Sequence, residues 1–239
     1  MIKELIRDRG LWIAVLVTAI GMLTGIPFYE MEFPLETGSV IDYFQTAVSS
    51  KQLFFLMPVV SVLPLGAVYI RDRASGFLKL YITRTSRREY IRRKILQIYV
   101  SGFLVFLFAG MMILAFSFLF LFPLELKGKW QGEDFMEMLK MFFRVTLVGG
   151  IIAEISGIFA GVFQSYYMAY GLPFVCYYIL IILKERYLSE MYSMYPIEWI
   201  KCEHDWGNNG SGIWFFLLLF SVMTGLMNGL VLYYRLREI

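Results

Sequence analysis

One histidine, His204, and two cysteines, Cys176 and Cys202, are all the imidazole and thiol this 239-residue chain contains. Cys176 lies in an apolar run and Cys202 in a polar one, so neither a disulfide framework nor a CxxC metal pair is available. Cys202-Glu203-His204-Asp205 offers several metal-ligand types in a row, but no second cluster stands elsewhere in the sequence to complete a tetrahedral site. With His204 as the sole imidazole, no Ser/His/Asp set has supporting context. No GxxxxGK[ST] occurs, so the chain has no loop of its own to cradle nucleotide phosphates. Charge is scarce too: 17% of residues, against about a quarter in a soluble domain.

What is abundant is hydrocarbon. The chain is 59% hydrophobic and 18% aromatic. A helix needs roughly 20 apolar residues to cross a bilayer. By that measure the chain reads as one all-α integral membrane domain, 1–239, with six spans at about 11–28, 52–70, 95–122, 141–163, 167–183 and 213–234. The first run lacks a small-residue cleavage site and reads as a retained span. Pro58 and Pro64 fall inside the second, Arg144 and Glu154 inside the fourth, and Pro173 inside the fifth. Ahead of the first span, Ile2, Leu5 and Ile6 share one helical face flanked by Lys3 and Arg7, which predicts a short amphipathic helix on the membrane surface.

The distribution of charge sets an orientation. With both termini inside, Lys/Arg on the inner side number 14 of 22: Lys3, Arg7, Arg9, nine in 71–94, Arg235 and Arg237. Short basic loops stay cytoplasmic, so the expected location is a cell membrane, of bacterial plasma-membrane type, crossed several times with both termini cytoplasmic. The outer segments are acidic: 29–51 reads as a loop with Glu30, Glu32, Glu36 and Asp42 against one lysine, Lys51. Segment 184–212 is dense in Tyr, Trp and Met, which predicts one or two short outer helices broken at Pro196.

Loop 71–94, "RDRASGFLKLYITRTSRREYIRRK", has an internal order that orientation alone does not require. Phe77, Leu80 and Tyr81 recur at i, i+3, i+4, an apolar face on a helix through Asp72–Tyr81. Ser86-Arg87-Arg88-Glu89 then forms a capping box, predicting a second helix from about Arg87 into the third span. Apolar side chains rimmed by Arg73, Arg84 and Arg87, in neither lipid nor core, describe a docking surface.

This stretch resembles the cytoplasmic loop after the second span in permeases of the type-2 membrane class of ABC exporters. An acid, a glycine about four residues later and a basic turn leading into the third helix match at Asp72, Gly76 and Ser86–Tyr90, while Thr83 and Thr85 stand where the family often has proline. The resemblance extends over the chain in span count and loop order. It implies that Asp72, Arg73, Gly76, Phe77, Leu80, Tyr81, Arg84 and Arg87 form a coupling helix docked on a separate ATPase subunit, with a smaller contact at Gln164–Tyr167. It implies that ATP and Mg belong to that partner and no cofactor to this chain, and that a second permease chain, identical or related, completes the pathway. The expected function is export of an amphipathic or apolar substrate such as a peptide, lipid or drug by alternating access, without enzymatic chemistry of its own.

Two intramembrane polar residues remain. Glu154, in "GGIIAEISG", and Asn228, in "TGLMNGL", are expected either to line the pathway or to join helices. Arg144, near the outer end of its span, is expected to snorkel. The basic loop faces anionic lipid more readily than nucleic acid. The alternative function is a non-transporting membrane sensor or immunity protein that binds a ligand at its outer face.

Overall fold

A computed structural model describes residues 5–31, 33–126, 132–207 and 210–237, without the side chains of Glu30, Lys79, Leu80, Ile82 and Thr83. It is built from helices: α1 (Arg9–Thr24), α2 (Ser39–Val48), α3 (Lys51–Val60), α4 (Val68–Ala74), α5 (Phe77–Arg84), α6 (Arg87–Phe116), α7 (Gly132–Phe163), α8 (Tyr166–Arg186), α9 (Glu198–Lys201) and α10 (Gly212–Arg237). One π turn, Ser117–Leu121, and short 3-10 turns punctuate them. Among the described residues the only β-type pairing is an isolated bridge between Leu35 and Glu125.

Several helix starts follow from local chemistry. Asp8 caps α1 by accepting from the Gly10 amide at 3.4 Å, Ser50 caps α3 through Leu53 N–H at 3.2 Å, and Ser86 caps α6 through Glu89 N–H at 3.3 Å. Each cap supplies an acceptor to an amide that the helix itself leaves unpaired. The box at Ser86 closes on one side only, because the Glu89 carboxylate turns outward to Arg92 at 3.0 Å.

Four helical stretches are long and apolar enough to cross a membrane: Arg87–Leu124, Gly132–Phe163, Tyr166–Arg186 and Gly212–Arg237. These contain the predicted third to sixth spans. The first is a shorter apolar helix, α1. The second differs from the expected single helix. It is α3, a non-helical stretch at 61–67, then α4. Pro64 lies within the interruption, where it lacks an amide hydrogen and its ring crowds the preceding turn, whereas Pro58 is accommodated inside α3.

α7 lies at the centre, with about three-quarters of its most apolar window buried (72%), against α6, α8 and α10. α6 crosses it closely. A methyl group on Gly102 would fall 2.5 Å from the Gly149 carbonyl oxygen, so this crossing is backbone on backbone. α10 is the opposite case. Its Phe215, Val222, Leu226 and Leu230 stay more than half exposed on one face. A continuous apolar face of that length is costly in water and neutral in lipid.

Segment 29–51 was expected as a plain loop. Instead it folds α2, which buries Val40, Ile41, Phe44, Ala47 and Val48. Among them Phe44 meets Phe142 of α7 edge-on. Segment 184–212 contains a 3-10 turn, Tyr192–Met194, and α9, separated by Pro196 as expected. Of the predicted lead-in helix, residues 1–4 lie outside the described residues; Leu5 is buried and Ile6 exposed.

Candidate functional site

The basic loop, 71–94, holds three helical pieces: the end of α4, α5 and the start of α6. α4 ends at Ala74, and Gly76 takes φ +73, a left-handed conformation that favours glycine. The continuous Asp72–Tyr81 helix expected from sequence is therefore broken at Gly76, and the outward helix is α5. Asp72 belongs to the last turn of α4 and is buried. It accepts from the Tyr90 hydroxyl at 3.0 Å and pairs with Lys94 Nζ at 2.7 Å, so it ties α4 to α6. The Lys94 ammonium also lies 5.6 Å from the Tyr90 ring centre.

α5 is anchored by a residue the periodicity missed. Leu78 is fully buried with Tyr69, Tyr90, Ile91, Leu232 and Leu236 in a small core of its own. With Leu78 inward, Phe77 is turned outward and stays 46% exposed, its ring 5.5 Å from Tyr81. Tyr81 bridges the two environments, half-buried and 5.5 Å from Tyr90. Arg73, Arg84 and Arg87 are exposed around this face. The Leu80 side chain lies outside the described set.

The expected second contact meets the first. Gln164 sits in the turn between α7 and α8 with φ +53, and its side-chain oxygen accepts from the Arg73 guanidinium. Tyr167 projects beside it, 89% exposed. Arg235 of α10 closes the same corner by donating from Nε to the Gly161 carbonyl at 3.0 Å and from Nη2 to Val162 at 2.5 Å. These are end-of-helix carbonyls with no partner within α7.

Glu154 and Asn228 are brought together. Asn228 Nδ2 donates to Glu154 Oε2 at 2.6 Å, joining α10 to α7 with both residues fully buried. Gly157 makes room: a methyl group there would sit 2.6 Å from Asn228 Nδ2. The other oxygens, Glu154 Oε1 and Asn228 Oδ1, have no hydrogen-bond partner. Glu154 also lines a cleft of about 630 Å³ between α6 and α10, walled by Ile95, Tyr99, Ser221 and Leu226 and reaching Arg88 and Arg92 at its basic end. The pair is a helix contact whose carboxyl also borders an apolar cleft.

Arg144 does not snorkel. It is buried and donates from Nε to the Ile200 carbonyl at 2.7 Å and from Nη2 to Lys201 at 3.3 Å, holding the C-terminal end of α9 against α7. Both acceptors lie more than fifty positions away, a pairing with no local sequence signal. Cys202 follows with φ +57; burial pushes its thiol up, Glu198 adds to the rise, and Arg144 opposes it. The Cys202–Asp205 stretch is organised around a carboxylate from outside it. Glu198 is buried, accepting at Oε1 from His204 N–H (2.8 Å) and Trp206 Nε1–H (3.2 Å), with His204 Nδ1 3.1 Å from Oε2. The Tyr192 ring stacks on His204 at 5.2 Å. No group of three metal-ligating side chains converges among the described residues.

No protein-family model matches the chain, and no curated protein matches it.

Proposed function

We propose that this chain is the membrane-spanning permease subunit of an ATP-driven exporter, docking on a separate ATPase through α5. α1 and the α3–α4 pair complete six crossings, the basic end faces the cytoplasm, and the end carrying α2 and α9 faces out. The observation that carries the reading is the division of labour within α5: Leu78 fixed in a core, Phe77 held outward among exposed arginines. A solvated loop has no need of a buried anchor beneath an exposed aromatic. A docking helix needs both, because apolar anchors dominate interface affinity and rim charges steer it.

The wiring behind α5 suits a lever. Asp72 passes displacement of the loop to α6 through Tyr90 and Lys94, and Arg73 passes it to the α7–α8 turn through Gln164. ATP and Mg would be held by the partner, and a second permease chain would complete the pathway. The cargo class stays amphipathic or apolar, in keeping with the cleft bordered by Glu154.

Affinity purification from membranes tests the reading. An ATPase subunit should co-purify with the wild-type chain and be lost, or lose substrate-stimulated hydrolysis, with Phe77→Ala at matched membrane levels. Arg92→Ala should behave as wild type. Isolation of the chain alone under all conditions would favour the sensor or immunity alternative and overturn the exporter reading.

A further inference from the structure

At the basic end of the bundle, between residues 5–8, α4 and α6, lies a recess of two adjoining lobes. Their volumes are about 540 and 550 Å³, and both are lined by Arg71, Asp72, Lys94 and Gln97. That size is within the range of small-ligand sites. Arg7 adds a cation to the first lobe and Arg93 to the second, while Asp8 adds a carboxylate to the first. Four basic side chains thus face two acids, and one of those acids, Asp72, is already paired with Lys94. Leu5, Leu65 and Val68 give the first lobe an apolar wall. One acceptor is left over: Asp8 Oδ1 caps α1, but Oδ2 is buried without a hydrogen-bond partner.

Those features select one chemistry. The positive surplus calls for a phosphate, and the apolar wall calls for hydrocarbon. The buried Oδ2 calls for a hydroxyl donor, which a phosphodiester cannot itself supply. Basic pockets between membrane helices are suited to anionic lipid head groups. We propose that the recess binds an anionic glycerophospholipid whose head carries free hydroxyls, phosphatidylglycerol being the simplest. Arg7 and Arg71 hold the phosphate, a head-group hydroxyl donates to Asp8 Oδ2, and an acyl chain runs along Leu65 and Val68. The site braces α4 against α1 and α6 whether or not an ATPase docks on α5. It rests on the basic end lying at the membrane surface, not on the exporter reading.

The test uses the full chain purified in detergent, with bound lipid counted by native mass spectrometry after adding phosphatidylglycerol, phosphatidylmethanol (a phosphodiester of the same charge without free hydroxyls) or phosphatidylcholine. Retention should follow that order. Arg7→Ala and Arg71→Ala should each weaken both anionic lipids about fivefold, the worth of one basic side chain beside an anionic surface. Asp8→Asn keeps a capping oxygen. It should bring phosphatidylglycerol and phosphatidylmethanol to parity, with both still above phosphatidylcholine. Arg92→Ala, outside the recess, should change nothing. Equal retention of phosphatidylcholine, or an unchanged ranking in Asp8→Asn, would overturn the proposal. So would displacement of the lipid by equimolar glycerol 1-phosphate, which would mark a site for soluble anions. Should a variant fail to fold, photoreactive phosphatidylglycerol on the wild-type chain decides. Crosslinks should concentrate at 5–8, 65–71 and 94–97, and an even spread around the bundle would refute the site.

Discussion

Asp72 accepts the Tyr90 hydroxyl at 3.0 Å while sharing its carboxylate with Lys94, so α4 and α6 are joined at one buried group. Removing different members of this trio should have unequal costs. Tyr90→Phe deletes one hydrogen bond to a charged group and should cost about 1.5–3 kcal/mol. Asp72→Ala leaves the Lys94 ammonium, 12% exposed, without its counter-ion and should cost more, about 3–5 kcal/mol. Unfolding of the purified chain in detergent gives the ranking. A Tyr90→Phe variant less stable than Asp72→Ala would show that the charge pair is not what ties the loop down.

The Glu154–Asn228 bond separates two roles that sequence left open. Asn228→Ala should lower stability by roughly 0.6–1.7 kcal/mol, the range measured for hydrogen bonds between membrane helices. Glu154→Gln keeps an oxygen for the Asn228 amide and should leave stability nearly unchanged. If Glu154 also serves the path, Glu154→Gln will reduce transport at wild-type stability. If transport and stability both survive, the carboxyl only joins helices.

At the opposite end, Arg144→Ala should free α9. Two hydrogen bonds from a charged donor disappear, a loss of about 3 kcal/mol or more by the usual worth of such bonds. Amides at 198–204 should then exchange hydrogen faster while those of the α6–α7 crossing do not. Arg144→Lys should rescue poorly, since a single ammonium cannot reproduce the guanidinium fork. Equal exchange in all three proteins would rule out Arg144 as the clasp.

Cys202 supplies a pH readout on that same end. Its thiol is pushed up, chiefly by burial, and only the thiolate reacts with maleimides. At neutral pH it should therefore label more slowly than a solvent-exposed cysteine. The rate should climb about tenfold per pH unit and level off only above the range where an ordinary thiol does. Labelling as fast as that of a free thiol at pH 7 would contradict the burial.

Orientation is tested on intact cells with an impermeant reagent in a Cys-free background. Ser75→Cys, in the exposed turn between α4 and α5, should stay unlabelled until the cells are opened, whereas a cysteine restored at 202 should label from outside. Labelling of position 75 from outside would reverse the topology.

Legibility in the sequence tracked the range of the interaction. The cap at Ser86 and the four long helices were readable because they depend on neighbours and on runs of apolar residues. α2 was readable in principle: Val40, Ile41, Phe44, Ala47 and Val48 fall at helical spacing, but the acids around them suggested a loop. Leu78 was not legible because it lies off the i, i+3, i+4 face of Phe77, Leu80 and Tyr81, turned inward where Phe77 is turned outward. Which of two apolar faces is covered depends on what folds against it, here Leu232 and Leu236, far along the chain. Arg73 with Gln164 and Arg144 with Ile200 are likewise pairings of distant segments, which no local period announces.

α7 is a single unbroken helix of 32 residues. Arg144 rides on it, and Gln164 follows its last turn, so about 30 Å of rigid rod separates the two. A rod has no joint at which a displacement can be absorbed. Pivoting it by about 10° at the Gln164 end would swing the Arg144 end, and α9 with it, through about 5 Å over that length. A rotation at the Gln164 end would therefore be delivered as a displacement of the Arg144 clasp, and the Gly102–Gly149 crossing and the Glu154–Asn228 bond between them would have to follow it.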